Sequence, residues 1–475
     1  MSERVSEPGT GSRAAVAPTA GYGALVALAA PIAGIQLAQV ALTSVDLAML
    51  GLLGVAAVAA GGLAILLYNQ IRTMCVGMVT GIGNLVATAA GAAERRTGTG
   101  ELDELARAEI RVLLRSALLV ATLTAVLGAA ALCGLALALP LLGQRPEIVS
   151  VAGSMMFALA GGLFPMVWLN VLRQFAVGLR RPGSLLAVTL VSIAVNAVCN
   201  AAFIYGWAGL PRLGVAGVGL STTVVQFCTL AAFSSRIRCD PQLRAMVSLA
   251  AWRFDPAVVR RIVRHGTPIC LTYGSEAAVT SIATLLMGAF GPVLLAASNV
   301  ANQLAYLTYQ CNIGISQGSS ILLSRAIGQG EAGLAPLIAR RALSLSWTLM
   351  AAVSLAYVLT PGALLWPFLH DETNPVVLTT ASTLLLFAIA QQYSKGTQNI
   401  LVGLLRGLGD TVSGLRATLV GYWAIGVPAM AVCAFAFGWG GWGVWTGLCL
   451  GFGATAILLL VRFRAAAASI GSPGA

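Results

Sequence analysis

The sequence predicts an all-α membrane protein, with twelve transmembrane helices in two six-helix lobes related by a parallel pseudo-two-fold repeat. Three observations carry this expectation. The 475-residue chain is 58% apolar and 9% charged, with a mean hydropathy of +0.87, whereas soluble domains are about 25% charged. Its apolar residues gather into twelve runs, each able to supply the ~20 residues that cross a bilayer. The second half of the chain also repeats the first. Such a composition excludes an ordinary soluble enzyme, a disordered chain and a disulfide-rich secreted domain.

In order, the runs are 23–50, 57–90, 112–139, 149–177, 184–206, 214–236, 266–290, 295–327, 341–366, 375–404, 414–437 and 441–462. The second and eighth exceed what a bilayer needs, so they are expected to tilt or project beyond it. Residues 1–20 read as a disordered tail. They carry Glu3, Glu7 and Arg13 and lead straight into an apolar run, unlike a cleaved signal peptide. The expected organisation is a first lobe at 21–236, a linker at 237–264, a second lobe at 265–464 and a tail at 465–475. The nine cysteines form no CxxC pair and read as small packing residues.

The arginines set an orientation. With the N-terminus and every second loop assigned to the cytoplasm, Arg95, Arg96, Arg107, Arg111, Arg180, Arg181, Arg260, Arg261, Arg264, Arg340, Arg341, Arg406 and Arg416 all fall there. The opposite loops hold Arg145 and Arg212. This is the positive-inside pattern, and it predicts a cell-membrane protein with both termini cytoplasmic. The net charge of +12 is then an orientation signal, and no nucleic-acid partner is expected.

Pro31 to Gly91 matches Pro268 to Gly328 without a gap, at an offset of 237. Gly51 and Gly54 fall on Gly288 and Gly291, Gly77 and Gly81 on Gly314 and Gly318, and Gly91 on Gly328. Six helices per half is an even number, so the halves run parallel and a substrate is expected between them.

Three motifs are weaker than they look. Gly314-Ile-Ser316-Gln-Gly318 spells the GxSxG of a nucleophile elbow, but it lies in an apolar helix and its mate Gly77–Gly81 lacks the serine. Helix packing through small residues is the expected role. The GxGxxG at 438–443 joins two membrane runs without a flanking strand. His265 and His370 lie near opposite membrane boundaries, too far apart for a metal site, and no metal is expected.

Two acidic residues, Asp46 and Glu276, fall within apolar runs. An ionised carboxylate at mid-bilayer costs about 2.5–3.5 kcal/mol on the lenient insertion scale, so it needs a partner, a proton or a task. The mate of Asp46 is Ala283 and that of Glu276 is Gln39, so symmetry alone requires neither carboxylate. The basic counterparts are Arg72, Arg173 and Lys395, the last being the only lysine in the chain. Lys395 precedes Arg406 by ~16 Å of helix, too deep for easy snorkelling. Arg173, nearer an interface, is expected to reach water.

The order of these residues resembles the multidrug and toxic compound extrusion (MATE) family, in its NorM-like branch within the MOP flippase superfamily. The resemblance is carried by Pro31 to Gly51, with Gln39 and Thr43-Ser44-Val45-Asp46. It continues through Leu172-Arg173-Gln174-Phe175 and Gly178 to Pro182, then Asn196 and Asn200 before Tyr205-Gly206. In the second half it includes Gly266-Thr267-Pro268 with Glu276, Asn302-Gln303, and Gly403 to Asp410. It implies an antiporter, not an enzyme, exporting small amphipathic and often cationic compounds in exchange for H⁺ or Na⁺ by alternating access. Asp46 and Glu276 then match the acidic coupling positions of the two lobes. Gln39, Asn196, Asn200, Gln303 and Lys395 line the cavity. Lys395 stands where the NorM-like pattern has an aspartate, which argues against Na⁺ and leaves H⁺ as the coupling ion, with no cofactor. The expected partners are small amphipathic molecules and lipid, and a monomer is expected. A flippase for a lipid-linked saccharide, which would need basic residues facing the cavity, is the alternative reading. An intramembrane enzyme is the remote one.

If Lys395 and Glu276 touch, the ammonium takes the place of a bound cation.

Overall fold

The computed structural model describes residues 21–142, 146–181, 183–209, 211–369 and 375–471. The expected tail at 1–20, Arg145 and His370 lie outside them. Among the described residues the chain is helical and contains no strand.

The first half comprises α1 (Tyr22–Gly51), α2 (Val55–Thr80) continued by α3 (Ile82–Thr97), α4 (Glu104–Ala138), α5 (Pro146–Ala160) with α6 (Leu163–Gly178), α7 (Gly183–Tyr205) and α8 (Val215–Cys239). A short α9 (Pro241–Arg244) lies in the linker. The second half comprises α10 (Pro256–Ala289), α11 (Pro292–Gln329), α12 (Ala335–Leu359) with α13 (Pro361–Leu369), and α14 (Pro375–Gly407). An eleventh span follows, built from α15 (Thr411–Thr418), α16 (Val427–Ala431) and the π-helical turns Leu419–Gly426 and Val432–Ala436. The chain ends in α17 (Gly440–Gly471). The seventh span thus starts at Pro256, ahead of the expected 266, because Asp255 caps it by accepting from the Ala257 N–H at 2.8 Å. The last helix continues through the expected tail as far as Gly471.

Ten of these helices are long and apolar enough to cross a membrane, and the pair α5–α6, bent by 43°, makes an eleventh. The twelfth is α11. Its 38 residues, ~57 Å at helical rise, carry Asn302, Gln303, Gln310, Asn312 and Gln317. These dilute its hydropathy, but α11 packs on α1, α3 and α14, so its lower half is buried in protein rather than in lipid.

The repeat is visible in the backbone. Gly54 and Gly291, mates at offset 237, both take positive φ (101° and 106°) in the turns after α1 and α10, where a side chain would be strained. Pro31 and Pro268, also mates, lie inside α1 and α10. The contacts between lobes are reciprocal. A Cβ on Gly91 would strike the Arg325 carbonyl, and one on Gly328 would strike the carbonyl of Thr88, the mate of Arg325. Gly77 lies against Cys270, and Gly314 against Ala33, the mate of Cys270. The GxSxG glycines are therefore packing surfaces, with Gly318 on Ala29 and Ser316 Oγ donating to the Asn399 carbonyl at 2.7 Å.

These contacts lie on the arginine-rich halves of the helices. Gln70 Nε2 donates to the Gly274 carbonyl at 3.2 Å near mid-helix. Below it, Asn84 Nδ2 donates to Ser320 Oγ and Ser324 Oγ, both at 2.8 Å. At the end, Glu94 accepts from Arg325 Nε at 2.9 Å and from Gln329 Nε2 at 2.8 Å. One apolar cluster, including Leu25, Ile32 and Val177 from the first lobe and Ile315, Leu323 and Leu404 from the second, seals the same end. Breaking a buried ion pair by removing one partner costs about 3–5 kcal/mol. Glu94→Gln is therefore expected to loosen this closure. In a variant keeping only Cys270, labelling by a membrane-impermeant maleimide should rise, and unchanged labelling of a folded variant would show that the pair does not hold the lobes.

Candidate functional site

Asp46 lies near the C-terminal end of α1 and is 6% exposed. Its Oδ1 accepts from Asn200 Nδ2 at 2.8 Å and its Oδ2 from Thr222 Oγ1 at 2.9 Å. Asn200 also donates to Asn196 Oδ1 at 3.2 Å, one helical turn back on α7. Both carboxylate oxygens thus meet neutral donors, and among the described residues no cation pairs with Asp46. A cavity of about 50 Å³ opens beside it, lined by Gln39, Tyr68, Asn69, Arg72 and Thr222 among others. That is room for a little water.

Glu276 lies on α10 in the other lobe. Lys395 Nζ sits 3.0 Å from Glu276 Oε1, with both side chains largely buried. Tyr309 Oη donates to Glu276 Oε2 at 3.1 Å. The ammonium also lies 4.3 Å from the centre of the Tyr309 ring and 5.2 Å from that of Phe452, a geometry in which ring faces attract a cation. The C-terminal carboxylate therefore has an internal cation in an aromatic box, whereas the N-terminal one has none.

The structure brings Asp46, Asn196, Asn200 and Gln39 together, and separately Glu276 and Lys395. Gln303 is half-buried on α11 and hydrogen-bonds to neither carboxylate. Arg173 departs from expectation: it is 5% exposed and does not reach water. The bend between α5 and α6 buries the end of α6 against α3, so the side chain is enclosed by protein. Thr222, Tyr309 and Phe452 are site residues that sequence reasoning missed. A threonine or an aromatic in an apolar run carries no signal of its own. For Tyr309 the repeat held one, since its mate is Arg72.

Among the described residues no group of three His, Cys, Asp or Glu side chains is placed to hold a metal ion.

Comparison with known proteins agrees with this architecture. The MatE family model matches residues 31–202 and 268–432, one segment in each half. A probable multidrug resistance protein NorM of Pseudomonas aeruginosa is 34% identical over 444 residues, covering 93% of this chain and 88% of that protein. A second NorM, from Pseudomonas putida, is 30% identical over 452 residues, covering 94% and 95%. Among solved structures, the bent form of the Vibrio cholerae MATE transporter VcmN superposes with a TM-score of 0.79 at 17% identity, covering 96% of this chain and 98% of that one. A MOP superfamily transporter from Pyrococcus furiosus, described as having a binding pocket of reverse polarity, gives 0.81 at 17% identity over 96% and 98%. With a family model spanning both lobes and relatives of 30% and 34% identity matched over most of their length, the chain belongs to the MatE (multidrug and toxic compound extrusion) family of membrane transporters.

Proposed function

We propose that this protein is a secondary antiporter that exports small amphipathic compounds in exchange for protons, with Asp46 as the coupling group. The names of its relatives support efflux of drugs. The observation that carries proton coupling is Asp46 itself: a buried carboxylate held by two neutral donors, beside a small polar cavity, with no cation to fix it ionised. Such a group changes its interactions when it gains a proton and so can bias one arrangement of the lobes over another. The lobes meet at the arginine-rich end, which the positive-inside pattern assigns to the cytoplasm together with both termini. On that assignment, closure at the cytoplasmic end supports reading this arrangement as the outward-open arm of an alternating-access cycle.

The box around Glu276 favours H⁺ over Na⁺. A Na⁺ ion entering beside Glu276 would meet the Lys395 ammonium, and two unit charges ~4 Å apart repel by about 4 kcal/mol at an effective dielectric near 20. The test is export of an amphipathic dye from reconstituted vesicles. A pH gradient without Na⁺ is expected to drive it, and a Na⁺ gradient at equal pH to leave it at the level of empty vesicles. Export under the Na⁺ gradient alone would overturn proton coupling through this pair of sites.

A further inference from the structure

Three arginines, on α2, α6 and α14, stand within the membrane-spanning helices. Arg173 and Arg406 are each 5% exposed, and Arg72 is half-buried and lines the cavity. Gln36, which accepts from Arg173, lies one helical turn before Gln39, and Gln39 lines the cavity with Arg72. Among the described residues, no carboxylate pairs with any of the three arginines.

Their polar contacts are neutral and sparse. Arg173 donates to Asn170 Oδ1 and, at 3.4 Å, to Gln36 Oε1, while its Nε is buried without a partner. Arg406 donates to Tyr273 Oη and Ser320 Oγ, both at 3.5 Å. Arg72 spends its Nε on Asn69 Oδ1 at 3.1 Å. Gln36 and Tyr273 are mates at offset 237, so each lobe presents the same position to a buried arginine.

An uncompensated guanidinium is costly to bury, and removing solvent without supplying an anion makes the site electrostatically incomplete. Structural arginines in the same molecule are completed: Arg325 has Glu94, Arg96 has Asp103 and Arg462 has Asp410. Arg72, Arg173 and Arg406 are different in kind. Arg72 also shares its cavity with a carboxylate, since it and Asp46 line the same pocket.

We propose that Arg72, backed by Arg173, is a subsite for an acidic group of the exported compound, so that the preferred substrates are zwitterions. The carboxylate or sulfonate of such a compound lies on the guanidiniums and its cationic end faces Asp46. The inference rests on the exporter reading for its setting but not for its chemistry. Arginine supplies the forked donor geometry that an acid oxygen pair accepts, and a hydrogen bond to a charged group contributes about 1.5–3 kcal/mol in proteins generally.

The experiment uses the full chain and a matched pair of xanthene dyes, one a zwitterionic free acid and the other its cationic ethyl ester. Binding to purified protein is read by fluorescence anisotropy and transport in proteoliposomes under a pH gradient. The acid is expected to bind at least about tenfold more tightly than the ester. Arg72→Gln should bring the ratio of the two affinities to about one, and Arg173→Gln should do the same if it folds. Equal affinities in the wild type, or a ratio untouched by Arg72→Gln, would overturn the subsite. Displacement of the acid dye by a polyprenyl phosphate in the bilayer, but not by a water-soluble zwitterion, would overturn it too, in favour of a lipid headgroup. Transport of the ester without Arg72-dependent binding of the acid sinks the subsite and leaves the exporter standing. Arg72-dependent binding with transport of neither dye does the reverse.

Discussion

Asp46→Asn should leave a well-folded protein that no longer exports anything in response to a pH gradient. Asparagine has nearly the shape of the protonated acid, and its carbonyl oxygen can accept one of the two hydrogen bonds that Asn200 and Thr222 now give to Asp46. The remaining polar atoms can be accommodated because the Asn200 Oδ1 and the Asn196 Nδ2 are buried without partners. Turning these amides over offers an acceptor to the new side-chain N–H, as it would to the O–H of a protonated Asp46. Because the carboxylate has no counter-ion among the described residues, its replacement strands no charge there, and stability should change little. What disappears is the difference between two protonation states, and without that difference a proton gradient has nothing to act on. The measurement is dye export from proteoliposomes at matched protein content. The variant should fall to the background of empty vesicles while its melting temperature stays near that of the wild type. Gradient-driven export at the wild-type rate would show that protons couple elsewhere.

The two carboxylates were legible in the sequence for a simple reason. Mid-membrane charge is expensive enough to stand out against an apolar run, and the repeat removed the excuse of symmetry by placing Ala283 and Gln39 at their mates. The span count was legible for the same reason: the run at 295–327 falls on α11 even though its amide side chains dilute its hydropathy. What could not be read was whatever depends on how helices face one another. Glu94 sits beside Arg95 and Arg96 and reads as ordinary interfacial charge, yet it binds Arg325 across the lobes at a separation of 231 residues. Thr222 is one of many threonines in apolar runs. Arg173 lies close to the end of its helix in sequence but is enclosed by neighbouring helices that the sequence does not place. The mates Gly77 and Gly314, and Gly91 and Gly328, show the converse: they are modest as sequence signals, but each marks a close approach of backbones between the lobes.

The largest effect on stability is expected at Lys395, and its sign depends on whether Glu276 remains. In the native protein the ammonium is 3.0 Å from the Glu276 carboxylate and lies over the Tyr309 and Phe452 rings. Lys395→Ala leaves Glu276 without its cation in an aromatic, largely buried box, where among the described residues the Tyr309 hydroxyl is its remaining hydrogen-bond donor. Removing one partner of a buried pair typically costs about 3–5 kcal/mol. Glu276→Gln alone strands the ammonium instead, although the two rings soften that loss by about 0.5–2 kcal/mol. The double variant Lys395→Ala, Glu276→Gln strands nothing and should melt at a higher temperature than Lys395→Ala. A cycle built from the four proteins should therefore show a large coupling energy, whereas independent sites give losses that add within about 0.5 kcal/mol. Lys395→Asp carries the same logic to ion selectivity. It replaces the internal ammonium with a second carboxylate, so the box gains the oxygen ligands that a hard cation prefers, and Na⁺ is then expected to raise the melting temperature of this variant while leaving the wild type unchanged. Additive losses in the cycle, or a Na⁺ response already present in the wild type, would mean that the Lys395 ammonium does not occupy the place of a bound cation.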